Sequence, residues 1–543
     1  MTRLSTARAT LLVVLVATLP KLFVVLAPRA DLYVVGKQGL GVTHVGEELH
    51  RGTTALELLD GPILGVLDYQ FAPFFGGSLV VALLAVPLFA LFGPSITTLK
   101  LTTLAFGGVA AALLFLILER FVSRRAAWFG GLLFALPAPG YALVSITAFG
   151  SHVEGNALAL ALFYLYLRTW HSSARPGLRS AFLTGLVAGF AVYFGYIVLI
   201  AIGVLAAFRL LCDKLFFARR ELGAAALGFA LGLAPWLAYN VSHGFAGLSI
   251  YGRTLGGNAN PKRSDAGFLE RVADLAWRAF PDSFFLGALG PAWNVVFALS
   301  FVALAAGGVY AARSSLGRVL RAVPARGLAP AALHPVLLFA AYPLAFALAY
   351  GVTDFKVGQL PDAAISYRYV YVTYPFLCLA AGVGLDALAG AGRAARAAAV
   401  SWALALCAAG LFATLRMADP ARLGADFATP GYSYAAFGRF VALTYVDDAE
   451  RLRRAVDGAV SRRPPEVAHE LFFGMGMQLE QTLAERDPSP RFREIQAHAE
   501  AARAFLMSRV PEQYRPYFER RGPGAPRFGP ADREAFWEWY RRR

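Results

Sequence analysis

Charge is what this sequence has least of. Asp, Glu, Lys and Arg make up 16% of its 543 residues, against about a quarter in an ordinary soluble domain. Disorder is excluded as well, because it needs low hydrophobicity and high charge. Cysteine is nearly absent: Cys212, Cys378 and Cys407 lie in or beside apolar runs, so no disulfide framework is readable. There is no P-loop, no G-x-S-x-G, no H-E-x-x-H and no C-x-x-C, so no soluble-enzyme motif is present. Gly and Pro are frequent but show no G-X-Y period. What is there is apolar: 57% of residues are hydrophobic, and the mean hydropathy is +0.53. That composition predicts a polytopic, all-α membrane protein.

The net charge is +16. No basic patch is interleaved with aromatics, so nucleic acid is not the expected partner. The excess sits in short loops between apolar runs, at 119–125, 168–179, 214–220, 313–326 and 393–396. The positive-inside rule places those loops, with the N-terminus, in the cytoplasm. The first run, 9–28, lacks a clear cleavage site and reads as a retained helix.

Further spans are expected at 97–118, 126–147, 154–170, 221–240, 285–310, 332–351, 370–390 and 397–416. Residues 181–211 are long enough for a tight helical hairpin. The run 78–94 contains Pro87 and ends at Phe92-Gly93-Pro94. All basic loops fall inside only if it does not cross, so it reads as a membrane-embedded helix of the first outer loop. The expected count is therefore about eleven crossings, within a range of 10–13. The membrane domain is 1–416, with a large first outer loop at 29–96. Residues 417–543 contain many Arg, no Lys and several helical patterns, at 433–459, 466–485, 492–508 and 530–542. They read as an extramembrane, mostly helical C-terminal domain on the outer side.

Acids concentrate in the expected outer segments. In "HVGEELHRGTTALELLDG" (44–61), Val45, Leu49, Leu56 and Leu59 fall on one helical face, and Glu47, His50, Arg51 and Thr54 on another. This predicts an amphipathic helix over 46–60. Its acids also suit a helix N-terminus with no further role, and Glu47 can pair with Arg51 at i,i+4. In "ITAFGSHVEGNALALALFYLYL" (146–167), His152 and Glu154 stand where a long apolar helix begins. An acid at the mouth of a span is costly to desolvate and often functional. In "YRYVYVTYPFLCLAAG" (367–382), Arg368 stands at the outer end of a span. A guanidinium there can grip a phosphate bidentately. It can equally be an interfacial anchor, with Tyr367, Tyr369 and Tyr371 as an aromatic belt.

The order of these stretches resembles the membrane-embedded glycosyltransferases of the GT-C fold. It is most like the branch of the protein O-mannosyltransferases and the lipid A aminoarabinose transferase. The resemblance runs through Glu47-Glu48 and "LELLDG", then "DYQFAPFFGG" (68–77), "LFALFG" (88–93) and the helix opening at Lys100-Leu101. It continues through Glu154, "APWLAYN" (234–240) and "YRYVYVTYPF". It covers roughly residues 1–416. The chain departs from the family in having Gly46-Glu47-Glu48 where Asp-Glu is usual, and Glu154 where Asp is usual.

The resemblance implies a polyprenyl-phosphate-linked sugar donor and a hydroxyl acceptor at the periplasmic face of a bacterial inner membrane. The acceptor would be an envelope glycan, a lipid or a protein. Glu47 or Glu48 would be the general base, with Glu154 orienting the acceptor. Arg368 would hold the donor phosphate, with Lys262 and Arg263 secondary. His152, Tyr69, Asn156 and Tyr367 would line the pocket. Direct attack would invert the anomeric centre. No cofactor is implied. A divalent ion on His44, His50 and His152 with the glutamates is conceivable but disfavoured, because their spacing matches no defined site. Two rivals are a secondary transporter, which would carry ionisable residues mid-span, and a lipid-linked polysaccharide ligase or assembly protein.

Overall fold

The computed structural model describes residues 4–29, 45–71, 75–171, 177–213, 215, 218–248, 266–286, 290, 292–322, 333–353, 357–358, 364–422, 434–446, 448–463, 465–484 and 490–509. Among these, helices follow one another without a strand. They are α1 (Thr6–Leu26), α2 (Val45–Asp60), α3 (Gly76–Phe92), α4 (Ile96–Phe121), α5 (Arg124–Ala135), α6 (Pro139–Val144) and α7 (Val153–Tyr166). Next come α8 (Leu178–Phe194), α9 (Leu199–Cys212), α10 (Arg220–Gly232), α11 (Ala234–Ser242), α12 (Phe268–Asp274) and α13 (Phe280–Asp282). Then α14 (Ala292–Ala311), α15 (Arg313–Ala322), α16 (Val336–Gly351), α17 (Tyr374–Gly390) and α18 (Arg393–Leu415) complete the apolar part. Four more follow: α19 (Tyr434–Tyr445), α20 (Ala449–Arg462), α21 (Pro465–Ala484) and α22 (Pro490–Arg509).

The chain is an all-α, multi-pass membrane protein. Helices α1, α4, α14 and α18 are each long and apolar enough to cross a bilayer, and α10 with α11 makes a fifth if the pair is one span bent by 52°. Helices α3, α8, α16 and α17, and the stretch Tyr196–Cys212, are apolar but shorter. Large side chains such as Leu12, Leu19, Leu231, Leu299, Leu344 and Leu404 stay exposed on these helices. In water such a surface would be a liability, and against lipid it is the expected one.

Three expected segments are broken. The run 126–147 splits into α5 and α6 because Pro137 and Pro139 interrupt the backbone ladder. The span at 221–240 bends between α10 and α11, where Pro235 stands in the first turn of the second helix. The pattern at 433–459 is two helices, α19 and α20, with Asp448 capping α20 by accepting from the Arg451 N–H. The 530–542 pattern lies outside the described residues.

Small residues set the helix spacing. A Cβ on Gly185 or Gly189 of α8 would stand 1.9 Å from the Ala225 carbonyl oxygen or 2.0 Å from that of Phe229. On α10, a Cβ at Gly228 or Gly232 would meet α8 carbonyls at 2.1 Å. Backbones touch directly here, which is how helices associate where there is no hydrophobic driving force. These glycines therefore serve α8 against α10, and the break after α8 falls at Gly195.

The starts of α3 and α4 both meet the segment between α6 and α7. Gly77 abuts the Gly150 carbonyl, while Lys100, one turn into α4, reaches the Ile146 carbonyl at 2.9 Å. The C-terminal ends of α1 and α18 also meet, with Arg29 N–H donating to Met417 O at 3.0 Å and Asp419 N–H to Ala27 O at 2.6 Å. The described parts of the first loop and of the C-terminal segment come together beyond them. They share a second apolar core, in which Ile63, Leu64 and Tyr69 pack with Phe437, Val456, Leu471 and Leu479.

Asp68 ties that core to the bundle, at 3.1 Å from His243 and 3.4 Å from Arg451. Burial by itself would raise its pKa, but the His243 hydrogen bond and the Arg451 charge outweigh burial and hold the carboxyl below its ordinary value of 3.8. The stabilisation it gives is present above that value and is lost as pH falls through the lower folded-state value. Thermal midpoints of wild type and Asp68→Asn across an acid series should therefore converge at low pH, and parallel profiles would remove Asp68 as the cause. Gly189→Ala should cost about 1–3 kcal/mol by overpacking; an unchanged melting midpoint in detergent would mean that α8 and α10 are not in direct contact.

Candidate active site

The site forms where α2, the start of α4, the 145–154 segment and residue 368 converge. Glu47 and Glu48 occupy the first turn of α2, where acids complement the helix dipole. Successive residues diverge by about 100° around a helix, so the two carboxylates face different neighbours.

Glu48 is fully buried. Its Oε1 accepts from Lys100 Nζ at 2.7 Å and from the Ala148 N–H at 3.1 Å, and its Oε2 has no hydrogen-bond partner. Lys100 donates in addition to the Ile146 carbonyl. Arg51, one turn along α2, is also buried. Its Nε and one terminal nitrogen both donate to the Phe149 carbonyl, at 3.2 and 2.7 Å, and the other donates to the Glu47 carbonyl at 3.0 Å. Burial lowers the Arg51 guanidinium to about 10, opposed by the Glu47 charge, so it stays charged at neutral pH. Between them sits His50, whose pKa is held well below its ordinary value by burial and then by the Arg51 charge.

Glu154, in the first turn of α7, closes the same turn from the other side by accepting the Gly150 N–H at 2.9 Å. Gly150 has φ +76°, and a Cβ there would come within 2.6 Å of Ser78 on α3. Only glycine satisfies both conditions. The backbone of 146–150 is thus held at residues 146, 148, 149 and 150 by Lys100, Glu48, Arg51 and Glu154.

Glu47 differs from Glu48 in being partly accessible, with 15% of its side chain exposed. It lies 4.0 Å from an Arg51 nitrogen and 3.7 Å from an Arg368 nitrogen. Arg368 is buried. Its Nε donates to His152 Nε2 at 3.0 Å, which assigns the imidazole as an acceptor there. The guanidinium also stands over the rings of Tyr369 and Phe149, at 5.0 and 5.8 Å. Three segments far apart in sequence therefore deliver the Glu47 carboxylate, the His152 imidazole and the guanidiniums of Arg51 and Arg368 to one place.

The other expected residues are placed elsewhere or deeper. Asn156 lies one turn below His152, donating to Tyr141 Oη at 3.3 Å and to the Tyr371 carbonyl at 3.2 Å. Tyr367 is buried against Phe285, and with Tyr371 also buried the two do not form an exposed aromatic belt. Tyr69 donates to Glu57 at 2.9 Å and stacks on Phe437. Glu57 is about 180° around α2 from Glu48, so Tyr69 faces the C-terminal helices. Lys262, Arg263 and His44 lie outside the described residues. Among the described residues, no three His, Cys, Asp or Glu side chains are grouped as a metal site.

In the sequence Arg51 stands out only as the i,i+4 partner of Glu47, and Lys100 only as a motif position. The signal for both was a basic residue inside or beside an otherwise uncharged stretch at the acidic end of the bundle. Their partners, the carbonyls of 146 and 149, carry no signature in sequence.

No protein-family model matches the chain, and no curated protein does. Among solved structures the chain is similar to ArnT from Cupriavidus metallidurans in the apo state, with 18% identity, a TM-score of 0.48, and coverage of 93% of this chain and 80% of that one. It is also similar to ArnT from the same organism bound to undecaprenyl phosphate, with 16% identity, a TM-score of 0.48, and coverage of 99% and 89%. A third is the archaeal oligosaccharyltransferase AglB from Archaeoglobus fulgidus, in complex with an inhibitory peptide and a dolichol-phosphate. There the identity is 12%, the TM-score 0.42, and the coverage 89% and 60%.

Lys100→Met should destabilise the chain by about 3–5 kcal/mol, because it leaves the Glu48 carboxylate buried and unpaired. Adding Glu48→Gln should recover most of that loss in a thermal melt of the purified protein. Equal midpoints for Lys100→Met and the double variant would show that the pair is not coupled.

Proposed function

We propose that this chain is a GT-C type glycosyltransferase that moves a sugar from a polyprenyl-phosphate donor to a hydroxyl acceptor at the outer face of a bacterial inner membrane. The observation that carries this reading is the placement of the accessible Glu47 carboxylate 3.7 Å from the buried Arg368 guanidinium. The motif order noted in the sequence supports it independently. The membrane domain over 1–416 would hold the lipid tail, and the helices of 417–543 would stand on the same outer side.

Glu47 is the general base in this reading, and Glu48 is not. A base must reach its substrate, and Glu48 has no exposed surface and is engaged with Lys100 and the Ala148 N–H. Glu47 takes the proton of the acceptor hydroxyl as the acceptor oxygen attacks the anomeric carbon. The bond from that carbon to the phosphate oxygen breaks, and its electron pair leaves with the polyprenyl phosphate. Arg368 balances the charge that grows on that phosphate, and His152 fixes its guanidinium through Nε. Attack opposite the leaving group inverts the anomeric centre. Glu154 is buried like Glu48 and spends Oε1 on the Gly150 N–H, so in this reading it holds the turn behind the site. Asn156, deeper in the bundle, supports the backbone behind Arg368 through Tyr371.

The test is a transfer assay in membranes, using labelled polyprenyl-phosphate sugars with envelope glycan, lipid and protein acceptors. Glu47→Gln should lower the transfer rate by about 10²–10⁴-fold, the usual loss on removing a general base, while its melting midpoint stays near wild type. Arg368→Ala should lower it as well. Wild-type rates in Glu47→Gln would refute the assignment. Absence of transfer from every donor tried would turn attention to transport or assembly.

A further inference from the structure

Helix α2 is held on the side away from the 146–150 turn by the C-terminal helices. Arg463, just past α20, pairs with Glu57 Oε1 at 2.8 Å and donates to the Gly61 carbonyl at 2.5 Å. Its neighbour Arg462 donates to the Pro62 carbonyl at 2.9 Å. Glu57 is fully buried, and its second oxygen accepts from Tyr69, whose hydroxyl in turn accepts the Ile63 N–H at 2.8 Å. Both carboxylate oxygens of Glu57 are therefore in use, one by each side of the junction.

A second contact reaches closer to the site. His50 sits between Phe71 and two residues of α19, with ring centroids 5.9 Å from Phe437 and 4.7 Å from Phe440. Phe440 also meets Phe71 edge to face at 4.4 Å, and Arg51 stands over that same Phe71 ring at 4.4 Å. One chain of contacts thus runs from Arg463 and Phe440 to the residues flanking Glu47.

We propose that the C-terminal helices act as a positioning element, in which Arg463 and Phe440 hold α2 in the rotation that sets Glu47 against Arg368. The inference rests on the reading of Glu47 as the base. Its physical ground is that α2 is a short helix with charged groups on two opposite faces. The turn at 146–150 grips Glu48 and Arg51, but this fixes only one face. A helix tethered along one line can still roll about it, and roll would carry Glu47 away from Arg368. The ion pair at Glu57, about half a turn around from Glu48, and the aromatic seat at His50 remove that freedom. Arg463 and Phe440 touch no reacting atom in this account and act only through α2.

The experiment compares full-length wild type with Arg463→Ala, Arg463→Lys, Phe440→Ala and Phe440→Leu in lipid nanodiscs. Amide hydrogen exchange is followed over 45–60, 96–121 and 153–166, together with kcat and donor KM for sugar transfer. Arg463→Ala and Phe440→Ala should speed exchange in 45–60 and leave the other two segments unchanged. They should lower kcat by about 10²-fold, the scale of a misplacement of about 1 Å, with donor KM little altered. Arg463→Lys and Phe440→Leu, which keep the charge or the bulk, should restore most of both and also answer for folding. Unchanged exchange over 45–60, or faster exchange with an unchanged kcat, overturns the proposal. If the wild-type chain transfers no sugar, the glycosyltransferase reading fails, and the exchange arm still decides whether these helices hold α2.

Discussion

The arrangement depends on how a five-residue backbone turn is satisfied at the end of an apolar bundle. Residues 146–150 lie between α6 and α7; the N–H groups of Ile146, Thr147 and Phe149 bond to the carbonyls of Leu143, Val144 and Thr147, and other backbone groups of the turn take partners from outside it. In a low-dielectric setting, backbone groups left alone would cost several kcal/mol each. Charged side chains supply the partners: Lys100 for the Ile146 carbonyl, Glu48 for the Ala148 N–H, Arg51 for the Phe149 carbonyl and Glu154 for the Gly150 N–H. Each charge is in turn offset by a neighbour of opposite sign or by backbone dipoles. The same contacts bring α2, α4 and α7 together, so satisfying the turn also assembles the site.

This gives the three carboxylates different work. Glu48 is neutralised by a 2.7 Å ion pair and shut away from solvent. Glu154 is tied to its own helix start. Glu47 keeps a partly open face and stands between two guanidiniums at longer range, 4.0 and 3.7 Å. Separate environments for like groups let one site hold a structural pair beside a carboxylate that stays accessible. Arg368 is similarly fixed, because its Nε is committed to His152 and only its far end turns toward Glu47.

The first loop and the C-terminal helices share a core of their own, which explains why the loop is so long. Ile63, Leu64 and Tyr69 would be exposed if the loop merely linked two spans, and they are buried against α19, α20 and α21. A buried ion pair contributes little net stability because desolvation offsets its attraction. The Glu57–Arg463 pair is better understood as fixing one register of the two pieces than as strengthening the fold.

The sequence by itself determined the class of the molecule. Its low charge and apolar runs of about 20 residues call for helices in a membrane. It also determined the amphipathic α2, because a 3.6-residue period is local information, and it drew attention to Glu47, Glu48, His152, Glu154 and Arg368 as polar groups out of place. Where the expected spans break, at Pro137, Pro139 and Pro235, the prolines were legible but their effect on a span was not. Only the tertiary structure decided which glutamate is accessible, that Lys100 and Arg51 serve backbone carbonyls, and that Tyr69 faces α19 and not Arg368. Those outcomes depend on burial and on contacts between residues as much as 406 positions apart, as at Arg463 and Glu57. Burial and long-range partners are properties of the packed chain, and no local pattern encodes them.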